Sequence, residues 1–156
     1  MLTVDIPERG LLQLQHLVLD FNGTMARDGN LLPGVEERLN TLAEKLVIHV
    51  LTADTFGTGE KACRNIKGYV HVLKPGKGGS QKLKFIEKLG PQNTAAVGNG
   101  TNDTLMLKNA ALGIVVLGPE GASVQALLAA DVVVTDICQG LDLLLHPKRL
   151  IATLRL

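Results

Sequence analysis

The chain has 156 residues, of which 46% are hydrophobic and 20% charged, so it can bury a continuous core and is not a disordered or fibrous protein. Its net charge of +1 gives no electrostatic reason to expect nucleic acid or an anionic membrane as a partner, and 3% of aromatic residues provide no stacking platform for single strands. The first residues lack the apolar stretch of a signal peptide, and no apolar run approaches the ~18 residues of a membrane span. We therefore expect a cytoplasmic protein in which the widely separated Cys63 and Cys138 stay reduced.

In chain order, short runs of β-forming residues alternate with segments of helical periodicity. The opening segment, LTVDI (2–6), predicts an antiparallel edge strand, and RDGN (27–30) predicts a tight hairpin turn. Further strands are predicted at 15–21, 46–52, 69–74, 94–99, 112–117 and 131–135. Helices are predicted near 34–45, 57–66, 79–89, 101–110, 121–129, 137–145 and 147–154.

Several of these strands are continuous runs of Val, Ile and Leu, which is typical of parallel strands that are covered on both faces. Strands and helices alternate almost throughout, and no linker, repeat or low-complexity segment interrupts them. The pattern predicts one domain over residues 1–156. Its predicted fold is α/β, with a doubly wound, mainly parallel sheet between two layers of helices.

Polar residues collect where three of the predicted strands end. They are Asp20, Asn22 and Thr24 at the end of the strand 15–21, Thr52 and Asp54 at the end of the strand 46–52, and Asn99, Asn102 and Asp103 at the end of the strand 94–99. In doubly wound sheets ligands bind at the carboxyl ends of the strands, so these side chains predict one crevice. Carboxylates suit a divalent metal, hydroxyls and N–H groups suit phosphate, and one carboxylate can serve as a nucleophile. A phosphoryl group also needs a cation. Three lysines in or just after the loop KPGKGGSQK could provide it, namely Lys74, Lys77 and Lys82.

Four segments carry a resemblance to a known family. They are DFNGT (20–24), LTADTFGT (51–58), KLKFIEKL (82–89) and VGNGTNDTLML (97–107). In this order they resemble the four motifs of the haloacid dehalogenase superfamily of phosphotransferases, and within it the phosphorylation domain of P-type ATPases. GASVQALLAADVVV (121–134) is similar to the stretch after the fourth motif, so the resemblance covers nearly the whole chain. It implies the three-layer α/β core of that superfamily and a phosphohydrolase activity.

The resemblance also implies a role for each matching residue. Asp20 would attack phosphorus and form an aspartyl-phosphate, and Lys82 would neutralise charge on the phosphoryl group, with Asn22 and Thr52 completing the catalytic set. The residues implied to bind phosphate are Phe21, Gly23, Thr24, Thr52, Ala53 and Lys82. Those implied to hold Mg²⁺ are Asp20, the backbone carbonyl of Asn22, Asn99 and Asp103. The metal and the lysine are needed because a carboxylate and a phosphate repel each other until their charge is offset.

Two asparagines depart from the family pattern. Asn22 stands where most of the family's hydrolases have an Asp that protonates the leaving group and later activates water. Because general acid–base help is worth ~10²–10⁴ in rate, we expect slow turnover of simple alkyl phosphates and smaller losses with activated ones. Asn99 stands where the family has its main metal-binding Asp of the fourth motif, so we expect weaker Mg²⁺ binding.

The chain also lacks the inserted cap that family members use to cover the substrate. The segments between the first three motifs are too short for a cap or for the nucleotide-binding domain of the ATPases, which argues against ATP as the substrate but leaves the question open. An uncapped crevice accepts a large substrate or is closed by a neighbouring subunit. We therefore expect a phosphorylated small molecule or macromolecule as the substrate, and a homo-oligomer.

Several alternatives stay open at this stage. DFNGT is composed of ordinary turn formers, Asp54 is either a helix cap or a site residue, and Lys77 competes with Lys82 for the phosphate. His16, His49, His71 and His146 match no motif and are interpreted as structural. The rival to a phosphohydrolase is a non-catalytic phosphate- or metal-binding module with a regulatory role, in which Asn22 and Asn99 mark lost chemistry.

Overall fold

The computed structural model describes residues 1–156 and contains ten strands and seven α-helices. The strands are β1 (Leu2–Ile6), β2 (Gly10–Leu14), β3 (His16–Asp20), β4 (Ala26–Arg27), β5 (Asn30–Leu31), β6 (Val47–Thr52), β7 (Tyr69–Val72), β8 (Thr94–Gly98), β9 (Leu112–Val116) and β10 (Val132–Val134). The helices are α1 (Val35–Leu42), α2 (Thr58–Ala62), α3 (Gly78–Leu89), α4 (Thr104–Asn109), α5 (Val124–Ala129), α6 (Ile137–Leu145) and α7 (Pro147–Leu154). Short 3₁₀ turns at Pro91–Asn93 and Thr101–Asp103 precede β8 and α4.

Six strands form a central sheet in the order β10-β9-β8-β3-β6-β7, and every neighbouring pair is parallel. From β3 the chain first builds β6 and β7 on one side, and then crosses over to build β8, β9 and β10 on the other. The strand order therefore reverses between β3 and β8, next to the strand that ends in Asp20. This confirms the predicted doubly wound parallel sheet and places its switch point, where ligands bind in such folds, beside Asp20.

Both faces of the sheet are covered by helices, and alternate residues of β3 show this. Leu17 and Leu19 are fully buried in the core that includes residues of α1, α6 and α7, whereas Val18 is fully buried in the core beneath α3, α4 and α5. Because the inner strands β8 and β9 are likewise buried at every position, polar alternation is absent from their sequences. The result is the predicted three-layer architecture.

The opening segment differs from its prediction. β1 does not join the central sheet but pairs with β2 in a separate antiparallel hairpin, whose turn includes Glu8 with a φ of 64°. The inward residues of β1, which are Leu2, Val4 and Ile6, are buried in the same core as the α1 and α6 residues. A strand with one buried and one exposed face fits such a covering hairpin better than a sheet buried on both sides.

The segment between β3 and β6 contains the predicted hairpin turn and no cap. Asp28 and Gly29 connect β4 to β5 with φ values of 51° and 79°, so both central residues have the positive φ of the tight turn that matches the twist of the strands. Only α1 follows before β6, and only α2 lies between β6 and β7. The helices lack the combination of length and hydropathy that a membrane-spanning helix needs.

Three of the four histidines interpreted as structural form a row between the sheet and α3. Nδ1 of His16 lies 3.2 Å from Nε2 of His49, and Nδ1 of His49 lies 3.1 Å from Nε2 of His71. Phe85 of α3 packs on the row, with its ring centroid 4.6 Å from that of His71. Burial lowers the pKa of each of the three, that of His49 to about 4, so the row is neutral at pH 7.

Candidate active site

A crevice of about 370 Å³ opens at the carboxyl ends of β3, β6 and β8. Its lining residues are Asp20, Phe21, Asn22, Thr52, Ala53, Asp54, Asn99, Gly100, Asn102 and Glu120. The crevice therefore brings together most of the residues that the sequence predicts for phosphate and metal. Of the predicted catalytic and metal-binding set, Lys82 and Asp103 do not line it but lie behind Asp20.

The centre of the site is a buried ion-pair triad. Nζ of Lys82 lies 2.6 Å from Oδ1 of Asp20 and 2.6 Å from Oδ1 of Asp103. Asp20 is delivered by the end of β3, Lys82 by the second turn of α3, and Asp103 by the 3₁₀ turn that follows β8. Lys82 is only 1% exposed and Asp103 is completely buried, so little solvent screens these interactions.

The triad shifts the pKa values of Asp20 and Lys82. Burial raises the pKa of Asp20 to about 6, and the negative charge of Asp103 adds to this rise while Lys82 opposes it. Burial alone would lower the pKa of Lys82, but the two carboxylates outweigh it and raise that pKa. Lys82 therefore stays charged, and Asp20 is mostly ionised at pH 7.

The geometry separates Lys82 from its competitor. Lys77 directly precedes α3 and is exposed, and it lines neither the crevice nor the adjoining cavity, whose lining includes Asp20, Lys74 and Lys82. The Lys82 ammonium group, at 2.6 Å from Oδ1 of Asp20, offsets the charge of that carboxylate from behind the crevice. Lys82 is thus the lysine that contacts the candidate nucleophile.

Both carboxylate oxygens of Asp103 are bonded within the protein. Oδ1 faces Lys82, and Oδ2 accepts hydrogen bonds from the backbone N–H groups of Asn99 and Gly100, each at 2.9 Å. This arrangement holds Lys82 and the loop after β8 in place. It also turns the Asp103 carboxylate away from the crevice, where the resemblance implies a metal ligand.

Thr24 joins the first and fourth motifs from a fully buried position. Its Oγ1 lies 3.2 Å from Oδ2 of Asp20 and 3.1 Å from Oδ1 of Asn99, so these two oxygens converge. No protein donor is bonded to the backbone carbonyl oxygen of Asn22, a residue that lines the crevice. These carboxylate, amide and carbonyl oxygens are the ligand types that Mg²⁺ prefers, so the donor set fits this metal.

The side chains of both unusual asparagines are held by neighbouring loops. Oδ1 of Asn22 accepts a hydrogen bond of 3.1 Å from the N–H of Gly29, in the β4–β5 turn. Nδ2 of Asn99 donates to the carbonyl of Gly121 at 3.0 Å. Asn22 therefore fastens the hairpin to the site, and Asn99 fastens the loop that follows β9.

The end of β6 forms one wall of the crevice. The hydroxyl of Thr52 accepts a hydrogen bond of 3.1 Å from the N–H of Asp54, which leaves the hydroxyl proton free to donate to a ligand. The Asp54 carboxylate accepts from the N–H groups of Phe56 and Thr58, both at 2.8 Å, and these bonds, that of Phe56 foremost, lower the pKa of Asp54. Asp54 thus both caps the start of α2 and lines the crevice.

Sequence reasoning missed Glu120. This residue follows β9, in the turn Gly118–Gly121, and its side chain reaches the crevice from the side opposite β6. The sequence did contain a signal for this residue, the segment GPEG just after a buried strand. The other strands whose ends face the crevice are also followed by polar residues, so Glu120 could have been added to the candidate site. No motif of the resemblance includes that position.

Comparison with known proteins identifies a relative by sequence. The chain is 53% identical over 78 residues to the uncharacterised protein MJ0073 of Methanocaldococcus jannaschii, a match that spans 47% of this chain and 84% of that protein. No protein-family model matches the chain.

Solved structures share the fold at lower identity. The cobalt-bound deoxy-D-mannose-octulosonate 8-phosphate phosphatase of Haemophilus influenzae superposes with a TM-score of 0.70 at 12% identity, over 88% of this chain and 90% of that one. A HAD family hydrolase of Streptomyces avermitilis gives a TM-score of 0.64 at 21% identity, over 79% of this chain and 76% of that one. The catalytic domain of the CPx-ATPase CopB-B gives 0.59 at 25% identity, over 73% of this chain but only 45% of that domain.

Proposed function

Since the chain belongs to the same family as MJ0073 and has the fold of the haloacid dehalogenase superfamily, as its motifs predicted, we propose that it is a phosphohydrolase that acts through an aspartyl-phosphate at Asp20. The observation that carries the proposal is the buried triad of Lys82 with Asp20 and Asp103 at the switch point of the sheet. Neighbours of this fold named as phosphatases and hydrolases support the same class of reaction.

In the proposed reaction, a carboxylate oxygen of Asp20 bonds to phosphorus as the bond from phosphorus to the leaving oxygen breaks, and the leaving group departs with that electron pair. Water then attacks the aspartyl-phosphate, which releases phosphate and restores the carboxylate. Lys82 offsets the negative charge of Asp20 and of the phosphoryl oxygens, while Thr52 and the backbone of Phe21 and Ala53, which line the crevice, bind the phosphate. The resemblance also implied Gly23 and Thr24, but the Gly23 N–H donates to the Ala26 carbonyl and Thr24 is fully buried, so we propose no contact of either with the phosphate.

Mg²⁺ is the proposed cofactor, held by Asp20, Asn99 and the Asn22 carbonyl, with Asp103 behind them. When bound it supplies charge neutralisation for the two anions that must meet. The Asn22 side chain is an amide, whose N–H protons are too weakly acidic to be transferred to the leaving group. The substrate class is therefore an activated phosphate, such as an acyl or aryl phosphate, with slow release of the intermediate.

The second candidate is a phosphate- or metal-binding module without turnover, favoured by the two asparagines at positions where the family has acids. One experiment separates the two. The protein, Asp20→Asn and Asp28→Asn are incubated with Mg²⁺ and ³²P-labelled acetyl phosphate, and covalent label is measured after acid quench. Asp28 provides the matched control because it lies in the exposed β4–β5 turn, where asparagine also tolerates a positive φ.

Label in the unchanged protein and in Asp28→Asn, but not in Asp20→Asn, supports the enzyme. Equal background in all three, with inorganic phosphate still bound in a calorimetric titration, supports the binding module.

A further inference from the structure

We propose that Glu120 is a further metal-binding residue of this crevice, and that it supplies the negative charge that Asn99 lacks. The proposal rests on the proposed function, because it concerns the divalent cation of the same site. It assigns a role to a residue outside all four motifs, in the turn that follows β9.

The turn that carries Glu120 is short and well defined. The N–H of Gly121 donates to the carbonyl of Gly118 at 3.0 Å, and Gly121 has a φ of 70°, which favours glycine. Pro119 occupies the first corner, where its ring restricts φ. Glu120 stands at the other corner, so a rigid turn presents its side chain at the rim of the crevice.

The Glu120 carboxylate lies against the loop of the candidate nucleophile. A Cβ atom on Gly23 would lie 2.4 Å from Oε2 of Glu120 and 2.8 Å from Nδ2 of Asn99, so a side chain at that position would displace one of these groups. Gly23 also has a φ of 81°, which favours glycine. The glycine leaves the space in which the Glu120 carboxylate and the Asn99 amide converge, three residues after Asp20.

The amide of Asn99 has a task that a carboxylate cannot perform. Its Nδ2 donates to the carbonyl of Gly121, and its backbone carbonyl accepts from the N–H of Ser123 at 2.9 Å, so Asn99 anchors the turn at two points. An aspartate at 99 would place a carboxylate against the Gly121 carbonyl and beside Glu120, and both contacts are repulsive. The Asn99 amide therefore stabilises the turn Gly118–Gly121, and this turn positions the negatively charged Glu120 at the crevice.

In this proposal the carboxylate that the family has at the position of Asn99 is replaced by the carboxylate of Glu120. With Nδ2 committed to Gly121, the Oδ1 of Asn99 faces Thr24 and Asp20 as a neutral oxygen donor. Glu120 adds a second negative charge to the crevice that Asp20 and Asn22 also line. A hard cation that prefers carboxylates then has two of them, as in a site built with an acid at position 99.

The test measures metal affinity directly and not turnover. Mn²⁺ binding is followed by loss of the free-ion electron paramagnetic resonance signal, and Mg²⁺ binding by competition, for the unchanged protein, Glu120→Gln, Asn99→Asp/Glu120→Gln and Glu44→Gln. Glu44 is exposed and lies just after α1, so its variant changes net charge by the same amount.

We expect Glu120→Gln to weaken both metals by about tenfold or more, in the range seen when a residue that supports a metal site is removed. The double variant should recover most of that affinity, and Glu44→Gln should keep the affinity of the unchanged protein. Equal affinity in Glu120→Gln and the unchanged protein, or no Mn²⁺ binding in either, would overturn the proposal.

The phosphoenzyme assay gives an independent reading of the proposed function. If Glu120→Gln loses metal affinity while acetyl phosphate labels no variant, the metal assignment stands and the phosphohydrolase proposal fails. Thermal unfolding confirms that the variants are folded, which the exposed position of Glu120 favours.

Discussion

Nζ of Lys82 lies 2.6 Å from Oδ1 of Asp20, although 62 residues separate them in the chain. The contact is possible because β3 occupies the centre of the sheet and α3 packs over it, with the second turn of the helix above the end of the strand. A cation is thus installed beside the candidate nucleophile before any phosphate binds.

Replacing Lys82 tests this pairing. In Lys82→Met, Asp20 and Asp103 lose the charge that separates them, and we expect covalent labelling by acetyl phosphate to disappear. The free energy of unfolding should fall by roughly 3–5 kcal/mol, as when one partner of a buried ion pair is removed. Chemical denaturation and the labelling assay measure the two effects. Lys77→Met is the matched control, and loss of labelling in that variant alone would assign the phosphate-binding role to Lys77.

Asn22→Asp should raise turnover of poor leaving groups. An aspartate can still accept the hydrogen bond from Gly29, so the hairpin stays fastened, and it can also transfer a proton. We expect a gain of roughly 10²–10⁴ in kcat with an alkyl phosphate and a smaller gain with an aryl phosphate. Asn102→Asp adds the same charge to the same crevice, and an equal gain in that variant would point to charge instead of proton transfer.

The Asp20 carboxyl should titrate near pH 6 in the metal-free protein. Its pKa is raised to about 6, chiefly by burial and then by the negative charge of Asp103. Carbon-13 NMR of the side-chain carboxyl groups, with Asp20→Asn to identify the signal, measures this pKa in the absence of Mg²⁺. Because a bound divalent cation favours the ionised carboxylate, added Mg²⁺ should lower the pKa. An Asp20 pKa below 4.5 without metal would contradict the prediction.

The histidine row should make stability depend on pH. In the unfolded chain His49 titrates near 6.5, but in the folded protein its pKa is about 4, because it is buried and faces His71 and His16. Between these values the unfolded state binds more protons, so the free energy of unfolding falls as the pH is lowered from 6.5 to 4. The loss should be on the order of 2 kcal/mol after allowance for solvent screening.

Urea denaturation at several pH values measures this slope. His49→Gln should flatten it, whereas His146→Gln should not, because His146 lies at the junction of α6 and α7, away from the row. Lys88 also faces His71 and lowers its pKa, so Lys88→Gln should reduce the slope slightly. An unchanged slope in His49→Gln would contradict the role of the row.

The fold was largely predictable from the sequence, because the hydrophobic residues of most strands and helices follow the pattern typical of each element. The parallel sheet, the two helical layers and the Asp28–Gly29 turn are all found. The prediction that Leu2–Ile6 forms an antiparallel strand holds, but this strand pairs with β2 in a separate hairpin and is not an edge of the central sheet, because a strand's sequence shows which face is buried but not which strand it pairs with. Only the register of the folded sheet brought His16, His49 and His71 into one row.

The amino-acid order was sufficient to predict the architecture, the candidate nucleophile Asp20 and the two departures at Asn22 and Asn99, because these depend on periodicity and on motifs within short segments. The tertiary structure decided which side chains meet. It selected Lys82 over Lys77 as the contact of Asp20, turned Asp103 inward, and brought Glu120 to the crevice. Such contacts join residues far apart in the chain, and their distances follow from strand order and helix packing, which no single segment encodes.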